Sequence, residues 1–395
     1  MGFGARARLA KSINNGKHHG IGFLVKSFVH DALQPISCPA RAISTIPPDS
    51  QPGYKVIQPR ATISTPPMAK LPLARHPLFR ELVTREFVET FIVRGTFDHL
   101  GHLGLIADLN GKVIQDVWRE GWTPLEAFSD HIHKVLNSEP IVIEEETISL
   151  CMPWIENYSH WMYQGLPRLK TLEMDGIDYK KFLILIPANA PRYVRESLSL
   201  LGISEANLRA TDTERIRGSM IVCSPEETYV SPWALKFIRD NLLGVSSKRQ
   251  FSEKLLLIRS DSVGRIILNK SCVQDVLERR GFEAIDPGTL SLPDQIAAFA
   301  AAKQVVSVHG AALTNIVFCA PGTRIVEIMP KHWIGPAYAY VAFRLGLDYR
   351  QLVGDEMGMP WPLSLNYRSK PSGYFRYGKA DVQVNVAELK RALGE

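Results

Sequence analysis

The chain has 395 residues, 45% of them apolar and 22% charged, enough for two ordinary domains and without the bias of disordered or fibrous chains. The formal net charge of +6 is mostly local, because Arg6, Arg8, Lys11, Lys17 and Lys26 lie in a stretch without carboxylates. The remaining body is nearly neutral, which argues against a broad nucleic-acid-binding face. Five cysteines (Cys38, Cys151, Cys223, Cys272 and Cys319), odd in number and without a C-x-x-C pair, read as free thiols in a reducing compartment.

No apolar run approaches the roughly 20 residues of a membrane helix. The N-terminus lacks a secretory apolar core, since Gly22 interrupts its longest stretch, Ile21 to Val25. Residues 1–30 read as a disordered basic tail, with peripheral contact to an anionic membrane surface as the alternative. The expected location is cytoplasmic, or peripheral to the inner face of the membrane. Nine prolines between Pro35 and Pro72 then predict an extended arm, completing a lead segment over 1–75.

Strands are predicted at Phe87–Val93, Leu103–Ala107 and Val113–Val117, with Asn110-Gly111 turning the last two into a hairpin. From Tyr158 the pattern changes to alternating helices and strands. A helical stretch over Ser159–Leu172, kinked or restarted at Pro167, precedes a buried strand at Phe182–Ile186. A helix over Arg192–Leu201, a strand at Met220–Cys223 and a helix near Trp233–Leu243 follow. The alternation then restarts with strands at Leu255–Ile258, Phe282–Ile285, Gln304–Val308 and Arg324–Ile328. Helices at Ser271–Arg280, Pro293–Ala302 and Ala311–Cys319 separate them. Single helices between strands mean parallel βαβ units, so the fold class is α/β with two Rossmann-like domains and a hairpin-rich lead-in to the first. The domains are expected over 76–245 and 250–345, with an extension over 346–395.

Ligands of such sheets bind at the carboxyl ends of the strands, which directs attention to the loops after Ile258 and Val308. In Val305-Val-Ser-Val-His-Gly-Ala-Ala-Leu-Thr-Asn315, a β-branched strand runs into His309, Gly310, Ala311 and Ala312, and a helix follows at once. Small residues before a helix N-terminus suit a phosphate, and Thr314 and Asn315 add polar groups. Close packing at a tight turn explains the same residues equally well. Arg259 and Arg265, six apart on the loop after a parallel strand, suit a pyrophosphate because a guanidinium fork bonds phosphate oxygens in pairs. Glu327 is placed for ribose hydroxyls or for a structural role in the sheet. In the first block, His160 opens a helix among aromatics and is a candidate general base, and Arg168 falls about two turns later.

Metal ligation fits poorly. His131 and His133 form an H-x-H pair in a run that looks helical, where i and i+2 point apart. No D-x-D pair is present to chelate a cation and a diphosphate. A Gly-x-Ser-x-Gly elbow, a P-loop and a G-x-G-x-x-G dinucleotide fingerprint are also missing, which disfavours hydrolase, NTPase and nicotinamide-dependent oxidoreductase readings.

Four segments together resemble glycosyltransferase family 61: YSHWMYQGLPRL (158–169), IRSDSVGRIILNK (258–270), DQIAAFAAAKQVVSVHGAALTNIVFCAPG (294–322) and TRIVEI (323–328). With the strand-rich lead-in, the resemblance covers roughly residues 80–345. That family includes bacterial capsule- or polysaccharide-type transferases, plant xylosyl- and arabinosyltransferases and animal O-linked N-acetylglucosaminyltransferases. The resemblance implies a GT-B-like pair of domains and an inverting, metal-independent transfer without a cofactor. A nucleoside-diphosphate sugar would be the donor and a glycan hydroxyl the acceptor, in capsule, exopolysaccharide or lipopolysaccharide synthesis. It makes Arg259, Arg265, His309, Gly310, Ala311, Thr314, Asn315 and Glu327 donor-site candidates. His160 becomes the catalytic candidate and Arg168 an acceptor-side one. Two departures stand out: Asn269-Lys270 in place of Asn-Glu, and Gln164 where an acidic residue usually follows H-W-x-x. They motivate the alternative of a non-catalytic glycan- or nucleotide-binding protein on the same fold.

Overall fold

A computed structural model describes residues 43–58, 90–114, 125–224, 231–259, 265–330, 337–356 and 381–394. The basic tail, Cys38, most of the proline-rich arm, residues 87–89 and 115–117 of two expected strands, and 260–264 of the arginine loop lie outside these. From Ala42 onward the chain forms one compact unit.

Two sheets organise it. The first contains β1 (Thr45–Ile46), β2 (Tyr54–Gln58), β3 (Thr90–Leu100), β4 (Leu105–Ala107), β5 (Val113–Ile114), β6 (Ile141–Val142), β7 (Thr147–Ser149), β8 (Leu183–Pro187), β9 (Leu208–Thr211) and β10 (Arg215–Cys223). Its main path is β1-β5-β4-β3-β10-β7-β8-β9. The expected hairpin is there: β4 and β5 pair antiparallel at Ala107 and Val113. Asp108 Oδ1 accepts from the backbone N–H of Asn110 and Lys112, and Gly111 takes the left-handed φ of 77° that the turn requires.

The first half departs from a simple Rossmann block. β10, β7, β8 and β9 are parallel, but β3 pairs antiparallel with β10 over nine residue pairs, so the sheet is mixed. It is also curled, since His99 Nε2 on β3 lies 2.9 Å from Ser149 Oγ on β7, two strands away. β10 follows β9 after three residues with no helix between them. Buried Asp98 on β3 fastens the antiparallel seam by bonding Arg215 Nη2 at 2.6 Å and Arg217 Nε at 2.8 Å.

The second sheet contains β11 (Lys254–Leu257), β12 (Glu283–Ile285), β13 (Gln304–Val308), β14 (Arg324–Pro330), β15 (Asp348–Glu356) and β16 (Val382–Gln383), in the order β12-β11-β13-β14-β15-β16. The first five are parallel. Taken in chain order they read 2-1-3-4-5, a doubly wound arrangement whose crevice opens between its first and third strands, here β11 and β13. The separating helices carry explicit starts. Ser291 caps Leu292–Ala301 through the Asp294 N–H, and Ser231 caps Pro232–Leu242 through the Ala234 N–H.

One apolar cluster runs through both sheets, from Ile148, Ile184 and Ile221 through Phe237 and Phe299 to Val305 and Ile325. The described cysteines are free thiols, with Cys151, Cys223 and Cys319 buried and Cys272 exposed. No helix among the described residues is long and apolar enough to cross a membrane.

Candidate functional site

The expected helix over 159–172 forms in three pieces: a turn at Tyr158–His160, a widened π turn at Trp161–Gly165 and a helix at Arg168–Met174. Asn157 starts it by accepting from the Ser159 N–H. Pro167 lacks the N–H that would continue the helical ladder, and the Leu166 N–H reaches back five residues to the Trp161 carbonyl at 2.8 Å. Gly165 makes the wide turn possible. A Cβ there would sit 2.6 Å from the Trp161 ring and 3.0 Å from Met152 Sδ.

His160 Nδ1 is held by the Gln164 side-chain oxygen one turn on. Because the amide oxygen only accepts, the imidazole donates from Nδ1, and its lone pair is on Nε2. Burial pushes the His160 pKa down, only partly opposed by Gln164 and Glu156, so the ring is neutral at ordinary pH. Arg168 is 3% exposed and donates to the Cys151 carbonyl at 3.2 Å. Burial lowers its pKa to about 10. This places it beneath the ends of β7 and β10, away from the surface.

In the second sheet, the parallel register sets Ser307 of β13 beside Glu327 of β14, which in turn faces Gln351 of β15. Alternate residues of a strand share a face. His309, two beyond Ser307, and Tyr349, two before Gln351, therefore share one face with Glu327. The carboxylate is fully buried and accepts from both His309 Nδ1 and the Tyr349 hydroxyl. Glu327 thus anchors His309 and Tyr349, the structural role in the sheet that the sequence left open beside the ribose one.

The His309 pKa is held down, first by burial, with Arg265 and Arg259 adding to it and Glu327 opposing. Both arginines that flank the β11 loop thus bear electrostatically on His309, at the β11–β13 switch point. Arg259 Nη1 is buried without a hydrogen-bond partner among the described residues. It lies so close to Gly310 that an added Cβ would meet it at 3.1 Å. Arg265 adopts a left-handed backbone with φ of 56°, a strained state for a non-glycine residue. Residues 311–318 form a 3₁₀ helix rather than an α-helix.

The two motif stretches, about 150 residues apart in sequence, meet directly. The Tyr158 hydroxyl donates to Asn315 Oδ1 at 2.6 Å, and the Tyr163 hydroxyl donates to the Thr314 carbonyl at 2.7 Å. Asn315 Nδ2 continues to Gln295 Oε1 at 2.8 Å. The Tyr338 hydroxyl lies beside Thr314 and Ser159, and its ring is 5.3 Å from the His309 ring. Asn315 and Thr314 thus serve the junction between the halves, with fully buried side chains, while His309, Gly310 and Arg259 lie together at the switch point. Tyr158, Tyr163, Tyr338, Tyr349 and Gln295 were not among the sequence candidates. Tyr158 and Tyr163 lie inside the motif and were legible as its aromatic members. Tyr338 and Tyr349 carry no signal without the strand register.

No group of three or more His, Cys, Asp or Glu among the described residues is arranged to hold a metal ion. His131 and His133 do share the Ser129–Leu136 helix, where His131 Nε2 is engaged 3.0 Å from the Leu100 carbonyl.

The second sheet defines a doubly wound α/β half with Arg259 beside Gly310 at its switch point, and comparison with known proteins narrows the class. Residues 158–326, from the His160 turn into β14, match the family model described as Glycosyltransferase 61. A stretch of 111 residues, 27% of the chain, is 31% identical to the xylan glycosyltransferase MUCI21 of Arabidopsis thaliana and spans 22% of that protein.

Proposed function

We propose that this chain is an inverting glycosyltransferase that moves a sugar from a nucleoside-diphosphate donor to a glycan hydroxyl, in the synthesis of a polysaccharide. The observation that carries the reading is the meeting of the two motif stretches beside the β11–β13 switch point, where Arg259 packs against Gly310 and both Arg259 and Arg265 bear electrostatically on His309. On this reading the two sheets are the halves of a GT-B-like enzyme, with the donor held by the second.

A single displacement needs a base for the acceptor hydroxyl and positive groups for the departing diphosphate. His160, neutral and with its lone pair on Nε2, takes the proton. Arg259 and Arg265 offer guanidinium donors to the diphosphate, and Gly310 lets the phosphate approach the backbone. His309, fixed by Glu327 and Tyr349, presents an oriented ring to the same group. Arg168, buried under the first sheet, supports the segment that leads into His160 through Cys151. Neutralisation of the diphosphate by arginines removes the need for a bound cation.

A second reading, a glycan- or nucleotide-binding protein without turnover, is favoured by Gln164, whose neutral amide cannot stabilise an imidazolium as a carboxylate does. Release of nucleoside diphosphate from UDP-, GDP- and CMP-sugars, with and without glycan acceptors, separates the two. Acceptor-dependent release supports transfer. Binding of nucleotide with no release from any pair supports the second reading.

A further inference from the structure

The segment that returns to the second sheet at the end of the chain makes a dense set of contacts with the stretch just after Arg265. The Ile266 N–H donates to Asp381 Oδ1 at 2.9 Å. Val382 N–H donates to the Ile266 carbonyl and Leu268 N–H to the Val382 carbonyl, each at 2.9 Å. A parallel bridge joins Ile267 and Val382. Asn269 then makes a two-point bond to Val384, its amide donating to the carbonyl and its oxygen accepting from the N–H, both at 2.9 Å. Every residue from Ile266 to Asn269 is thus tied to 381–384.

The other face of that segment is anchored in the sheet. Val382 pairs with Glu356 of β15. Val382, Val384, Leu389 and Leu393 are buried in the apolar cluster of β13, β14 and β15. The Val386–Leu393 helix ends on Arg324, which bonds the Leu393 carbonyl. A rigid support therefore ends one residue away from Arg265, whose left-handed backbone must be imposed by its surroundings.

We propose that Asp381–Val384 is a strap that fixes Arg265 in its strained backbone conformation and so sets its guanidinium at the anion crevice, with Asp381 as the positioning residue. The inference rests on the nucleotide reading above. It also gives Asn269 a structural task, independent of the Lys270 that follows it. Neither Asp381 nor Asn269 touches the ligand in this account; both act through Arg265.

Calorimetric titration of the full-length protein with UDP, GDP and CMP tests it, well below the melting temperature. In the wild type, with whichever nucleotide binds, Asp381→Ala should weaken affinity by about twofold to tenfold, the worth of one net hydrogen bond. Asp381→Asn keeps an accepting oxygen and should stay within about twofold of wild type on the same scale. In an Arg265→Ala background Asp381→Ala should have no further effect, whereas in an Arg259→Ala background its effect should persist. Wild-type affinity in Asp381→Ala, or an equal loss in the Arg265→Ala background, overturns the strap. Absence of nucleotide binding by the wild type itself refutes the nucleotide reading, and the strap with it.

Discussion

Replacing Gly310 by alanine tests the crevice with a single methyl group. Gly310 has an extended backbone, φ 170°, which any residue adopts, so the substitution introduces no backbone strain. The new Cβ would stand 3.1 Å from Arg259 Nη1 and 3.7 Å from Cζ. Ordinary contact needs a few tenths of an ångström more, and the end of a flexible arginine yields that distance cheaply. Stability should therefore change by no more than about 0.5 kcal/mol, the usual range for a substitution that breaks no packing. Phosphate binding is more sensitive, because a charge-assisted bond is worth about 1.5–3 kcal/mol and part of it is lost when the donor retreats. A loss of about 0.5–1.5 kcal/mol means a twofold to twelvefold weaker nucleotide. Calorimetry with the nucleoside diphosphate and urea denaturation at the same pH read the two quantities separately. In an Arg259→Ala background the alanine should add little. Unchanged affinity, or a loss that tracks a large fall in stability, would refute the reasoning.

Three further outcomes follow from buried groups. Burial lowers the His160 pKa, so the basic form persists to lower pH. The acid limb of kcat/KM should accordingly lie below the ordinary histidine value of about 6.5, and a limb above 7 contradicts His160 as the base. Tyr158→Phe strands Asn315 Oδ1 at the junction and should cost about 1–2 kcal/mol in denaturant unfolding; a neutral result means the contact is not made. Burial alone would raise the Asp98 pKa, but the bonds from Arg217 and Arg215 outweigh it and hold it down. Its contribution is present above the unfolded value near 3.9 and fades as pH falls through the folded one. Asp98→Asn should cost about 1.5–3 kcal/mol at pH 7 by removing the charge that Arg215 and Arg217 share, with the cost shrinking below about pH 4. A cost independent of pH would show that charge is not its source.

The second sheet was largely legible because its signals are local. Gln304–Val308 coincides with the expected strand, and the helices Lys270–Glu278 and Leu292–Ala301 shift by a residue or two. The strand order was not legible, since periodicity says nothing about neighbours. For the same reason the sequence leaves Glu327 open between ribose hydroxyls and a structural role: its proximity to His309 and Tyr349 comes from the register of three parallel strands. β9, β15 and the closing helix were missed, being short, polar or beyond the recognisable motifs. The antiparallel β3–β10 seam joins residues more than a hundred apart, and only tertiary structure specifies it.

The central claim is that the diphosphate is held in the second sheet while His160 serves the acceptor from the first. Its most direct test measures nucleotide affinity and sugar transfer on the same preparations of three variants. Arg259→Ala and Arg265→Ala should each weaken nucleotide binding by about tenfold to a hundredfold, the loss of one charge-assisted contact. His160→Ala should leave binding nearly unchanged and lower turnover by about 10²–10⁴, the usual contribution of a positioned base. Loss of nucleotide binding in His160→Ala, or full turnover without it, would contradict the account.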